Sequence, residues 1–197
     1  MTTTHFPRRT GAPAAEPLTL AEALVHLRAD ADAGPNDAYV TSLIAVARAA
    51  CEERTERSLI TTAWRLHLPA FPSDGVILLR VAPIIEVQSV QYLDAAGVLQ
   101  TLAADQYQLD PHAEPGRLSV APGATWPATQ TGADAAVRVN FTAGYGATGA
   151  SVPAPLKHWM LLAIGEMYEL RSGSSDKPAV RHDFADALLQ PFRLLGV

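Results

Sequence analysis

Gly144-Tyr-Gly-Ala-Thr-Gly149 spells G-x-G-x-x-G, the spacing with which a glycine-rich turn brings backbone N–H groups against a pyrophosphate. That chemistry needs a helix to begin inside the motif, so that its first N–H groups face the phosphates. Here Val152-Pro-Ala-Pro155 intervenes, and no βαβ pattern follows. The stretch therefore reads as a glycine-rich exit from a β block. A nucleotide-binding enzyme built on Gly144–Gly149 is the first alternative. The six histidines, His5, His26, His67, His112, His158 and His182, have no metal-ligand spacing. Cys51 is the only cysteine, so no disulfide can form within the chain and no cysteine-based zinc site exists. It falls on a helical apolar stripe and reads as a small buried hydrophobe. Glu52 and Glu53 are adjacent, so they point to different sides of a helix and read as a solvated face rather than an acid and base pair. No nucleophile elbow and no P-loop are present. The residues predict no catalytic site, no cofactor and no metal. A β-rich ligand- or carbohydrate-binding module using Trp64, Tyr92 and Trp126 is the second alternative. Trp64, however, lies on the apolar side of its strand, where an aromatic belongs to a core.

The chain has 197 residues, of which 48% are apolar, enough for a sizeable core. The formal net charge of −5 argues against gripping nucleic acid by bulk electrostatics. No apolar run approaches the length of a membrane span. The start, MTTTHFPRRTGAPAAEP, has a basic pair without an apolar h-region, so a soluble intracellular protein is expected.

Positioning elements follow from periodicity. Residues 1–17 show none and read as a flexible arm. Thr19 and Glu22 have capping-box spacing at the start of a first helix with Leu20, Leu24 and Leu27 on its stripe. A second helix runs from Asn36 or Asp37 to about Arg57, with Val40, Leu43, Ile44, Ala47 and Cys51 inward. The period then changes to two. Strands are predicted at Leu59–Leu68, Val76–Val81, Ile84–Leu93 (with a bulge near Ser89, because Val90 is out of step), Val98–Leu102, Tyr107–Leu109, Arg117–Val120 and around Val137, Val139 and Phe141. Asp94–Gly97 reads as a hairpin turn.

Val152–Arg171 is a long helix started by Pro153 and Pro155. Leu156, Trp159, Met160, Ala163, Met167 and Leu170 form one face; Leu161, Ile164 and Tyr168 form a second. A helix apolar on two faces is normally buried on both, so Leu161, Ile164 and Tyr168 are expected at a subunit interface. A linker, Ser172–Pro178, leads to an apolar tail with Phe184, Leu188, Leu189, Phe192, Arg193, Leu194 and Leu195. The expected fold class is α+β: a small bundle of three main helices plus a short C-terminal helix, carrying an inserted antiparallel β-rich subdomain. Its parts are the arm 1–17, a first helical part 18–58, the β-rich insertion 59–149, the long core helix 150–173, and the linker and docking tail 174–197.

Four segments in this order carry a family likeness: ARAACEERTERSLITTAWRLHLPAFP, ILLRVAPIIEVQSVQYLDAAG, VNFTAGYG followed by VPAPLKHWMLLAIGEMYELR, and LLQPFRLL. From about Leu18 to Val197 the chain resembles the head–tail connector (adaptor) proteins of long-tailed double-stranded DNA phages and gene transfer agents. The resemblance implies a non-enzymatic virion protein assembled in the host cytoplasm. It implies a homo-oligomeric ring, usually of twelve copies, at the head–tail interface. Its partners would be the portal protein on one side and a stopper or tail protein on the other, with DNA passing through the lumen and no membrane contact. The tail from Phe184 to Val197 is then the expected portal-docking segment.

Overall fold

Alternating residues between Thr62 and Ala143 build strands as the period of two requires, but the strands pair over long distances in the chain. The computed structural model describes residues 5–28, 37–170 and 183–194. The chain divides into two units: one contains residues 1–13, 61–144 and 194–197, the other 14–60 and 145–193.

The first unit holds eight strands among the described residues: β1 (Arg8–Arg9), β2 (Thr62–Leu68), β3 (Val76–Leu79), β4 (Ile84–Leu93), β5 (Leu99–Leu102), β6 (Tyr107–Asp110), β7 (Gly116–Val120) and β8 (Val137–Ala143). They form a five-stranded sheet in the order β1-β2-β8-β4-β5 and a three-stranded sheet in the order β3-β7-β6. Each pairing is antiparallel. Leu66, Val90, Val137, Val139 and Phe141 from the larger sheet share one buried cluster with Ile77, Leu79 and Leu118 from the smaller. The predicted bulge is present, with a register shift between Val87 and Ser89, and a second shift lies between Ile84 and Glu86. Asp94 closes the β4–β5 turn: its Oδ1 accepts from the N–H groups of Ala96 (3.0 Å) and Val98 (2.9 Å). Gly97 takes the left-handed φ of 80° that the turn needs.

The second unit contains α1 (Leu20–Leu27), α2 (Asp37–Thr55), α3 (Ala154–Glu169) and α4 (Asp183–Ala187). The predicted stripe of α2 is buried throughout: Val40, Leu43, Ile44, Ala47 and Cys51 are at most 6% exposed. They pack with Leu156, Trp159, Met160 and Ile164 of α3. The capping box of α1 is formed, with Glu22 N–H donating to Thr19 Oγ1 (3.1 Å) and Thr19 N–H donating to Glu22 Oε2 (2.7 Å). Lys157 adds an ion pair to Glu22 at 2.7 Å. The hydrogen bond from Lys157, then that from the Thr19 backbone, lowers the Glu22 pKa from 4.5 to about 2. A depressed carboxylate pKa stabilises the fold above its ordinary value and loses that contribution as pH falls toward the folded value. The stability difference between the native chain and Glu22→Gln is therefore expected to narrow as pH falls from 4.5 to about 2 in urea titrations. Thr19→Ala should cost about 1 kcal/mol at neutral pH.

The expected three-helix bundle with an inserted subdomain is not what forms: the chain is a β-rich fold with helices. The physical reason is that the strands do not form one appended sheet. β3 pairs with β7, and β2 with β8, so the β block closes two sheets on a core of its own. The described part of 1–17 is also tied down. Arg8–Arg9 pair with β2, Thr10 N–H donates to the Ala63 carbonyl (2.9 Å), and Glu16 ion-pairs with Arg48 (2.7 Å). The predicted strand at Leu59 starts three residues late. Leu59 and Ile60 are both fully buried in the helical core, which strand alternation forbids, and Glu56 ends α2 with a left-handed φ of 54°. The linker 172–178 lies outside the described residues, as do Leu195 and Val197 and the side chain of Phe184.

Candidate functional site

Each glycine of the G-x-G-x-x-G loop that the helical unit holds has a packing reason. A Cβ on Gly146 would overlap the Ser151 side chain, and one on Gly149 would overlap the Pro17 carbonyl oxygen. Gly149–Ser151 form a single 3₁₀ turn, and α3 starts only at Ala154, after an N-cap at Pro153 that makes no side-chain bond. The helix N-terminus is thus displaced from the loop, and the phosphate cradle of the dinucleotide fingerprint is not formed.

Among the described residues no cluster of three or more metal-ligating side chains occurs, and no helix is long and apolar enough to cross a membrane. Cys51 is fully buried on α2. Burial first, then the neighbouring Glu52, pushes its thiol up to about 12. A thiolate is what reacts, so the native protein should leave a thiol-disulfide reagent unconsumed at mildly alkaline pH. One equivalent should react after unfolding in urea. Glu52, expected on a solvated face, is instead buried at 9% exposure, while Glu53 is exposed.

The aromatics of the ligand-module alternative serve packing. Phe71 stacks on Trp126 at 4.7 Å and 6° and meets Tyr92 at 5.8 Å. Trp64 lies under the Arg9 guanidinium at 4.8 Å. Tyr92, Trp126 and Trp64 all border the sheet core.

The predicted interface residues of α3 do not share one environment. Ile164 is fully buried in the chain's own helical core, so that part of the second face is closed within the monomer. Leu161 and Tyr168 keep partial exposure, with Tyr168 against Tyr39 at 6.1 Å. The tail behaves similarly. Leu189 is fully buried beside Ala185, and Leu188 and Phe192 pack on the same core. Asp186 accepts from Arg54 at 2.7 Å, and Arg57 donates to the Phe192 carbonyl. Arg193 is exposed and Leu194 partly so.

One surface was not singled out in the sequence. Arg8 faces Arg65 across β1–β2, Arg65 faces Asn140 across β2–β8, and His67 faces Arg138. Directly opposed residues share a sheet face, so these side chains form a cationic strip on the side opposite Trp64, Leu66 and Phe141. Burial, then Arg65, Arg138 and Arg8, lowers the His67 pKa. The signal was present as the polar phase of alternation, Arg65-x-His67 and Arg138-x-Asn140, but only pairing joins the two.

Two sheets thus share one core and the helices another. No protein-family model and no curated protein matches the chain. Solved structures do. One, described as the "Neck of empty GTA particle computed with C6 symmetry", is 33% identical, covers 98% of this chain and 97% of its own, and has a TM-score of 0.81. A second, the "Virion of native gene transfer agent (GTA) particle", is 33% identical over 97% and 96%, with a TM-score of 0.80. A third, the "Neck of native GTA particle computed with C12 symmetry", is 31% identical over 98% and 97%, with a TM-score of 0.79. The chain belongs to the head–tail connector (adaptor) family of tailed phages and gene transfer agents, and its role is that of a structural component of the neck of a phage-like particle.

Proposed function

We propose that this protein forms a closed ring, of twelve copies, between the portal and the stopper or tail proteins, with DNA passing through the lumen and no catalytic turnover. The observation that carries this reading is the full-length likeness to a neck computed with C12 symmetry. A related neck computed with C6 symmetry is compatible with twelve copies taken as six pairs. Head-to-tail contacts that close by rotation give such rings. The part-exposed edge of α3 at Leu161 and Tyr168 is the helical side of the lateral contact. The exposed end of the tail, Arg193 and Leu194, meets the portal, with Phe184 and Leu195 completing that segment. Leu188, Leu189 and Phe192 support it from the helical core.

Imaging of the neck tests the ring: twelve equivalent densities of this fold are expected, and a single copy or a dimer there would sink it. Arg193→Glu tests the portal contact separately, because an exposed side chain leaves folding unaffected. Particles carrying it should hold less of this protein at the portal side, and unchanged attachment would move the docking surface elsewhere.

A further inference from the structure

We infer that the strip Arg8, Arg65 and Arg138 on the open face of the five-stranded sheet receives the acidic end of α3, Glu166 and Glu169, from a second copy of the chain. This rests on the ring proposed above and assigns its lateral contact to particular surfaces.

Both patches are electrostatically unfavourable in the isolated chain. Arg8 and Arg65 stand directly opposite on neighbouring strands, a like-charge placement that destabilises a sheet. Among the described residues none of the three arginines is ion-paired. The hydrogen-bonded side chains that lead from Arg65 are neutral: its Nε donates to Asn140 Oδ1 at 2.6 Å, and Asn140 Nδ2 donates to Ser89 Oγ at 2.8 Å and Gln91 Oε1 at 3.4 Å. Asn140 holds the guanidinium over the sheet without neutralising it. His67, beside them, is driven toward its neutral form by burial and by the same three arginines, so it does not relieve the strip.

At the other patch, Glu166 and Glu169 are three apart on α3, both exposed, with no basic residue in that last turn. Carboxylates there oppose the negative end of the helix dipole and repel each other. Among the described residues neither is ion-paired. Leu170, next to them, is 49% exposed, an apolar neighbour for a buried ion pair. A ring needs two unlike surfaces to meet, and these two are complementary. Arginine forks bind carboxylates in bidentate geometry. With 20 acidic against 15 basic residues, another copy presents a negative surface on balance. The same balance disfavours DNA as the occupant of the strip.

The test uses particles assembled with the full chain. Arg65→Glu with Arg138→Glu should lower neck occupancy by about tenfold or more, since like charges across a contact cost several kcal/mol and each 1.4 kcal/mol is tenfold. Adding Glu166→Arg and Glu169→Arg to the same chain should restore occupancy, because every copy then carries both swapped surfaces. Restoration by changes on a different unit cannot come from repaired folding of the sheet. If the charge-reversed chain misfolds by circular dichroism, Arg65→Gln with Arg138→Gln replaces it, with a smaller loss expected. Full occupancy of either variant overturns the strip assignment and leaves the ring standing. Loss without rescue in a folded variant overturns the choice of α3 as partner. An intact ring that retains packaged DNA poorly assigns the strip to phosphates and overturns the contact. Absence of a ring in unsubstituted particles overturns the reading on which the inference rests.

Discussion

Glu52→Ala is expected to cost about 3–5 kcal/mol and to unfold the helical unit at much lower urea concentration, because it removes one partner of a buried, paired charge. The Glu52 carboxylate is 9% exposed near the end of α2. Its Oε1 accepts the N–H of Leu59 at 2.9 Å, and its Oε2 accepts from Arg48 Nη1 at 3.0 Å. Arg48 in turn donates Nε to Glu16 Oε2 at 2.7 Å. Alanine leaves the Leu59 N–H without its acceptor beside a side chain that is fully buried. It also leaves the Arg48 guanidinium, 12% exposed, with Glu16 alone. Whole domains are stable by only about 5–15 kcal/mol, so this one change removes a large share. Glu52→Gln keeps a carbonyl acceptor for Leu59 and should lose less, about 1.5–3 kcal/mol. Urea denaturation followed by far-UV circular dichroism orders the three proteins. Equal midpoints for Ala and Gln would show that charge rather than the Leu59 acceptor sets the cost.

Leu189→Ala should destabilise the same unit by about 2–5 kcal/mol, the usual cost of emptying a buried leucine site. Leu189 is fully buried in the helical core, with Ala185 at 6% exposure beside it. A chain of this length loses roughly 2–4 °C in Tm per kcal/mol, so calorimetry resolves the effect. Arg193→Ala, at an exposed position four residues on, should change stability by no more than about 0.5 kcal/mol, a Tm shift of about 2 °C or less. A Leu189→Ala protein that melts like the native chain would mean the tail contributes nothing to its own core. The expected pair of results separates two parts of the tail: Leu189 anchors the segment to the helices, and Arg193 contributes nothing to that core.

Local periodicity made several features legible. The α2 stripe, Val40 to Cys51, was readable because five apolar residues at helical steps leave a single way to face a core. The Thr19–Glu22 box was readable because its two bonds depend only on a three-residue spacing. The bulge near Ser89 was readable because Val90 lies out of phase, and only an extra residue can return it inward. The same logic misplaced Glu52, Leu59 and Ile60. Neighbouring carboxylates look alike in a sequence, and Glu52 is buried only because α2 ends at Thr55 and the chain turns Leu59 N–H back onto it. Ile164 was assigned to a free face because nothing local says which faces of α3 the other helices cover.

The sequence by itself determined most of the helices and strands, though not β1 or the start of β2, together with the loop the glycines occupy and the order of segments that carries the family likeness. Those are short-range properties, decided by backbone sterics and by the phase of apolar residues. Only the tertiary structure decided that β3 leaves its sequence neighbours for β7, and that β8 inserts between β2 and β4. It alone set Arg8, Arg65 and Arg138 on one face. Strand partnership joins residues more than seventy positions apart, such as Thr62 and Ala143. It depends on which whole sheets can close a shared core, and no spacing within a single strand encodes that choice.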